Sequence, residues 1–272
     1  MKSGAELMRE IDACRTAPGE LAFWRLGQMS VVLKTGGRVF YIDLYLKPGP
    51  RRKIPPLLDA ESIANADFIC GTHDHSDHID RTVWPALSKA SPRARFVAPA
   101  VLVPGLARDL GIPESRFVGL DDRRWAICDG VKITGVAAAH EQLAPDPASG
   151  RFAFLSYVIE ADGVTVFHAG DTCRYEGQET RLKAWTFDAA FLPINGRDAA
   201  RLARNCIGNM TYQEAADLAG ALRPRLTVPG HHDLFADNAG DPEAFRDYMR
   251  VKYPDLAVGL SAPGECVRLP PR

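Results

Sequence analysis

The chain has 272 residues, 46% of them hydrophobic and 25% charged, with 33 basic against 34 acidic side chains and a formal net charge of −1. That length buries a full core without disulfide staples, and the balanced charge provides no field to draw in nucleic acid or an anionic membrane surface. No run approaches ~20 consecutive apolar residues, as a membrane span requires, and the first residues lack the apolar core of a signal peptide.

Six cysteines are scattered singly, with no CxxC pair. They suit free thiols in a reducing compartment, so a cytoplasmic protein is expected. Residues 1–20 read as a helical extension, with Leu7, Met8, Ile11 and Cys14 on one side of a helix over 5–14. Residues 21–34 are β-rich, and Thr35-Gly36-Gly37-Arg38 turns the chain into a strand over 39–42 that ends at Asp43. A carboxylate there can hold a metal-bound histidine from behind or cap a turn. Residues 47–56 form a loop whose basic run, Arg51-Arg52-Lys53, reads as solvated surface.

A short strand over 66–70 leads into Gly71. A helix begins at 81–87, a strand covers 95–98, and a helical pattern over 99–110 stops at Gly111-Ile112-Pro113. A hairpin over 125–136 runs into His140. Strands at 152–160 and 164–168 flank the turn at Ala161-Asp162-Gly163, and another over 187–192 ends at Pro193-Ile194-Asn195-Gly196. Thr211 with Glu214 is a capping box for a helix to about Leu222. A strand over 226–228 ends in Pro229-Gly230-His231-His232-Asp233, and a helix over 242–251 precedes a strand around 256–260. There is no repeat or linker, so residues 1–272 are expected to form a single α/β domain.

The seven histidines all fall within residues 73–232, in short clusters. The densest is Thr72-His73-Asp74-His75-Ser76-Asp77-His78. His73 and His75, two apart in an extended loop, can face one side, while Asp77 and His78 face another. One segment can then serve two ions. His140 completes a set with His73 and His75. His231 joins Asp77 and His78, in preference to the neighbouring His232. Asp171, whose carboxylate can touch both ions, is the natural bridge of a two-metal hydrolytic site. In each group an apolar strand exits into a small residue and then a ligand, which puts the loops on one edge of a sandwich. His168 lies within a strand and reads as a core or supporting histidine, and His232 as a neighbour of the site.

On the motifs His73-x-His75-x-Asp77-His78, His140, Asp171 and His231, the chain resembles the metallo-β-lactamase superfamily. That resemblance implies an αββα sandwich with the metal site at one edge. Trp24-Arg25-Leu26-Gly27-Gln28, Leu192-Pro193-Ile194-Asn195-Gly196-Arg197-Asp198 and Asn205-Cys206-Ile207-Gly208-Asn209-Met210 make it most similar to the L-ascorbate-6-phosphate lactonase group. The likeness implies hydrolysis of a sugar lactone, a homo-oligomer, and manganese ahead of zinc as the pair of divalent ions.

Asp77 is the expected proton carrier to the leaving alkoxide. Asn195 with Arg197, Arg201 and Arg204 is an expected binding set for an anionic small-molecule substrate, the three arginines acting as a clamp. The alternatives are a two-metal phosphodiesterase and a non-catalytic metal-binding protein on the same fold.

Overall fold

A computed structural model describes residues 1–272. Its strands are β1 (Leu21–Gly27), β2 (Ser30–Thr35), β3 (Arg38–Ile42), β4 (Phe68–Cys70), β5 (Arg95–Pro99), β6 (Phe117–Leu120), β7 (Trp125–Cys128), β8 (Val131–Ala137), β9 (Leu155–Ala161), β10 (Val164–His168), β11 (Ala189–Pro193), β12 (Leu226–Gly230) and β13 (Cys266–Leu269). The helices are α1 (Gly4–Ala13), α2 (Trp84–Ala90), α3 (Val103–Leu110), α4 (Gln178–Leu182), α5 (Ala199–Ala203), α6 (Tyr212–Leu222) and α7 (Pro242–Lys252).

The strands make two mixed sheets, ordered β13-β1-β2-β3-β4-β5-β6 and β12-β11-β10-β9-β8-β7. Side chains alternate across each sheet. In β3, Phe40 and Ile42 enter the core between the sheets, while Val39 and Tyr41 pack outward with Leu7 and Ile11 of α1, Trp84 of α2 and Leu106 of α3. On the far side, Phe167 and Leu192 meet Leu218 of α6 and Phe245 of α7. The result is the layered helix–sheet–sheet–helix sandwich expected from the sequence. Burial on both faces explains why the inner strands are almost wholly apolar.

Strand direction positions the site. β1 and β3 are each antiparallel to β2 and so run the same way, and β4 is parallel to β3. In the second sheet β8 and β10 are each antiparallel to β9, and β10, β11 and β12 are parallel. The C-terminal ends within each sheet therefore share an edge. They deliver Gln28, Asp43 and Gly71 from one sheet, and His140, Asp171, Asn195 and His231 from the other.

The small residue before each ligand has a steric cause at two of these exits. A Cβ on Gly71 would lie 2.3 Å from Ile79 Cγ1, and one on Gly170, at φ +58°, would lie 2.8 Å from Thr72 Cβ.

The chain's C-terminal end departs from expectation. Residues 256–260 form no strand. Val258 makes one isolated bridge to Thr227, because Pro254, Gly259 and Pro263 interrupt the run, and the strand that closes the first sheet is β13. The β-rich stretch 21–34 is two strands turning at Gln28-Met29. β6 and the five-residue helices α4 and α5 are too short to show a period. The capping box is present: Thr211 accepts from the Glu214 N–H, and the Glu214 carboxylate accepts from the Thr211 N–H.

Candidate metal centre

The two loops that follow β4 and β10 bring the dense segment against Asp171. His73, His75 and His140 form one group of candidate ligands, and Asp77, His78 and His231 another. Between them lies a third group, His73, His78 and Asp171, and the ligand atoms within each group lie within 4.8 Å of one another. The halves expected from sequence are thus present but not separate. The His73 and His78 rings are 4.1 Å apart, closer than the 4.6 Å between His73 and His75. Asp171 sits centrally. Its Oδ1 is 3.3 Å from His78 Nε2, and its Oδ2 is 3.1 Å from His231 Nε2 and 4.0 Å from His140 Nε2.

These residues fit a cation. His73 Nε2, His78 Nε2 and Asp171 Oδ1 are buried without a hydrogen-bond partner, which is costly unless another group completes them. Burial pushes His73 well below its usual pKa, lowers His75, and takes His140 down to about 4, so these three are neutral, the form that ligates. On the other half, burial opposes charge at His78 and His231, yet the surrounding carboxylates, Asp171 foremost, raise both. Burial likewise works against the Asp171 carboxylate, but His231 and His78 hold it well below the carboxylate range. Asp77 and Asp171 thus favour positive charge at this place, whether carried as protons on His78 and His231 or by a bound cation.

Supporting contacts aim the ligands. Asp43, fully buried and at φ +47°, accepts from Thr72 N at 2.8 Å, Thr72 Oγ1 at 2.8 Å and His78 Nδ1 at 2.7 Å. The last bond fixes the His78 proton on Nδ1 and leaves Nε2 facing Asp171. With its proton committed to Asp43, the Thr72 oxygen, 3.1 Å from His73 Nδ1, acts there as acceptor and leaves His73 Nε2 as the lone pair. Asp43 therefore braces the ligand loop rather than merely capping a turn. His168 is a core histidine outside the three groups. It donates from Nε2 to Met29 O at 2.9 Å and accepts at Nδ1 from Gly170 N at 3.3 Å.

His231 and His232 part ways. His231 holds φ +55°, a left-handed conformation that costs a non-glycine residue about 1–3 kcal/mol and turns its ring toward Asp171. His232 faces Arg25, with its Nε2 3.0 Å from Arg25 Nη2, and burial beside that guanidinium takes it down to about 4. Arg25 also donates to Ser261 O at 2.9 Å and to Asp233 Oδ2 at 2.5 Å, the latter a partly buried ion pair behind the site.

Gln28 had no expected role from sequence. Its Nε2 donates to Asp77 Oδ2 at 2.9 Å and lies 3.1 Å from His231 Nε2, and its backbone O accepts from His231 N at 2.9 Å. The signal was available, since β1 also exits through a glycine, Gly27, into a polar residue at the same edge.

A cavity of about 430 Å³ opens over the cluster, lined by His75, Asp77, His140, Asp171 and His231. The three-arginine clamp does not form. Arg197 is tied to Glu214 through Nη1 at 2.6 Å and Nη2 at 2.7 Å and to Asn209 O at 3.1 Å, and it faces a second cavity, of 370 Å³, that meets the first at Cys206 and Ile207. Arg201 is bound to Asp198, to Asn238 Oδ1 at 3.2 Å and to Ala239 O at 2.7 Å. Only Arg204 of the three lines the metal cavity. Asn195 is buried and does not line it. Its Nδ2 donates to Asn238 Oδ1 at 2.8 Å, and Asn238 does line the cavity. Arg51, on solvated surface as expected, also lines its rim.

The family described as "Beta-lactamase superfamily domain" matches residues 38–232. A UPF0173 metal-dependent hydrolase of Sulfurisphaera tokodaii is 28% identical over 246 residues, covering 90% of this chain and 97% of that protein. The "Probable L-ascorbate-6-phosphate lactonase UlaG" of Escherichia fergusonii is 25% identical, covering 94% of this chain and 82% of that protein. Among solved structures, the metallo hydrolase Igni18 of Ignicoccus hospitalis superposes with a TM-score of 0.72 at 21% identity, over 92% of this chain and 98% of its own.

Proposed function

From the premise that this chain belongs to the beta-lactamase superfamily and is a metal-dependent hydrolase, we propose that the bond it cleaves is the ring ester of a small sugar lactone. The lactonase relative supports this reading. The observation that carries it is the pairing of Asp77 with the cluster. Asp77 lines the cavity, its carboxylate is one-fifth exposed, and its one hydrogen bond comes from Gln28. Burial works to raise its pKa, but His78 and His231 keep it lowered and so ionised, the form from which a proton carrier must start. Opening a lactone needs such a carrier, because the ring oxygen leaves as an alkoxide that must be protonated within the same cavity.

Seven residues would hold two divalent ions: His73, His75, Asp77, His78, His140, Asp171 and His231. Imidazole and carboxylate donors without thiolate suit manganese or zinc. When bound, such ions supply a polarised carbonyl and an acidified water. Gln28 keeps Asp77 oriented, and Asp43 keeps His78 from turning. No helix is long and apolar enough to cross a membrane.

Metal-replete protein is expected to release acid from aldonolactones faster than it releases nitrophenol from bis-p-nitrophenyl phosphate. The reverse order, followed by pH-stat and absorbance, would move the assignment to phosphodiester chemistry. Metal analysis provides a second check. His75 belongs to one of the three ligand groups and His78 to two. His75→Ala is expected to keep about one ion per chain and His78→Ala to keep less. Two ions retained in both variants would refute the ligand assignment.

A further inference from the structure

We propose that Arg51, Arg204 and Asn238 form the recognition site for an anionic group carried by the substrate away from the bond that breaks. This rests on the hydrolase reading above and adds to it the substrate's charge.

The three residues come from three loops and line the same 430 Å³ cavity as the metal cluster. Arg51 lies on the loop after β3, Arg204 at the end of α5, and Asn238 on the loop after β12. Another cavity, of about 410 Å³, adjoins the first and shares Arg51, Asp77, Cys206 and Asn238 with it, so the arginine lies where the two meet.

What separates these arginines from their neighbours is how little of their donor capacity is taken. A guanidinium has five N–H donors in a planar fork. Arg51 makes a single hydrogen bond, Nη2 to Asp237 Oδ2 at 2.7 Å, with its guanidinium carbon 5.6 Å over the Phe235 ring. Arg204 also makes one, Nη2 to Asp237 O at 3.2 Å. Arg52, by contrast, is tied to Ile54 O, Tyr45 O and Lys47 O, and Arg197 and Arg201 are filled as described. Both under-used arginines are thus tethered at one corner to residue 237 and keep most of their donors for another partner.

Asn238 is set for the same task. Its Oδ1 accepts from Asn195 Nδ2 and Arg201 Nε, and Asn195 Oδ1 in turn accepts from Asn209 Nδ2 at 3.1 Å. That relay fixes which end of the Asn238 amide is the oxygen and leaves its two N–H donors uncommitted. Asn195 and Arg201 are therefore positioning residues, acting through Asn238. Asp237 offsets one of the two arginines, so the rim keeps one net positive charge. Guanidinium forks and an amide donor match the oxygens of a phosphate or a carboxylate.

The test uses three open-chain sugar acids that share a C1 carboxylate and differ at C6: gluconate with a hydroxyl, glucarate with a carboxylate, and gluconate 6-phosphate. Their binding to full-length, metal-replete protein is measured by calorimetry for wild type, Arg51→Gln, Arg204→Gln and the double variant. The wild type is expected to bind gluconate 6-phosphate at least about tenfold more tightly than gluconate. Each single variant should shrink that ratio several-fold, and the double variant should bring it near one. Glucarate matching the phosphate identifies a carboxylate as sufficient, and glucarate matching gluconate identifies phosphate as required. A wild-type ratio near one, or a ratio that the variants leave unmoved, overturns the proposal. Because binding is read without turnover, failure of lactone hydrolysis in a parallel assay would refute the reaction and leave this result standing.

Discussion

Replacing Asp171 by alanine is expected to lower kcat/KM for hydrolysis by at least about a thousandfold, equivalent to about 4 kcal/mol in the barrier. No other side chain reaches both halves of the cluster with two oxygens. One oxygen faces His78 and the other faces His231, with His140 at 4.0 Å. Without the carboxylate, His78 and His231 lose the charge that most raises their pKa values, and the central ligand group loses its only anion. Metal content should fall with activity, while far-ultraviolet circular dichroism stays native, since the flanking backbone is held by the Ala169 N–H to Phe191 O and Cys173 N–H to Ala139 O hydrogen bonds. Asp171→Asn, which keeps the shape and one acceptor oxygen, should fall between. A variant that retains both full activity and full metal content would remove Asp171 from the centre of the site.

Asp43→Ala is expected to be the most destabilising substitution near the site, by about 3–5 kcal/mol, because it leaves three buried donors without their acceptor. The carboxylate has no solvent exposure and holds three donors: the Thr72 N–H, the Thr72 hydroxyl and His78 Nδ1. Metal affinity should also drop by roughly 10–100-fold, the usual cost of losing the partner that orients a ligating histidine. Denaturant unfolding of the metal-free protein reads the first effect, and metal titration of the folded variant reads the second. A loss below about 1 kcal/mol together with unchanged affinity would show that Thr72 and His78 are aimed by something else.

Much of this was legible before folding, for a reason visible in particular residues. His73, His75, Asp77 and His78 are close in sequence, so their joint presence needs no tertiary contact. The capping box at Thr211 and Glu214 is local in the same sense. The alternation of apolar side chains along β3 and β10 follows from strand geometry alone. The rule that a strand exits through a small residue into a ligand picked out His140, Asp171 and His231, and applied once more to Gly27 it would have picked out Gln28.

The arginines were misread because pairing is not local. Arg197, Arg201 and Arg204 have helical spacing, yet α5 covers only Ala199–Ala203, and Glu214 takes Arg197 from a different helix. Arg51 does stand on solvated surface, its side chain 71% exposed, as the three basic residues in a row of its loop suggested. Only the return of the chain after β12 brings Asp237 and Phe235 beneath it. The choice between His231 and His232 likewise depended on Arg25, more than two hundred residues earlier.

The sequence by itself determined the metal-binding chemistry and the sandwich, because ligand type, strand period and turn residues act over a few positions. Only the tertiary structure decided which cations are already neutralised and which keep donors free, because a charge is assigned by whichever partner the fold places within hydrogen-bond reach.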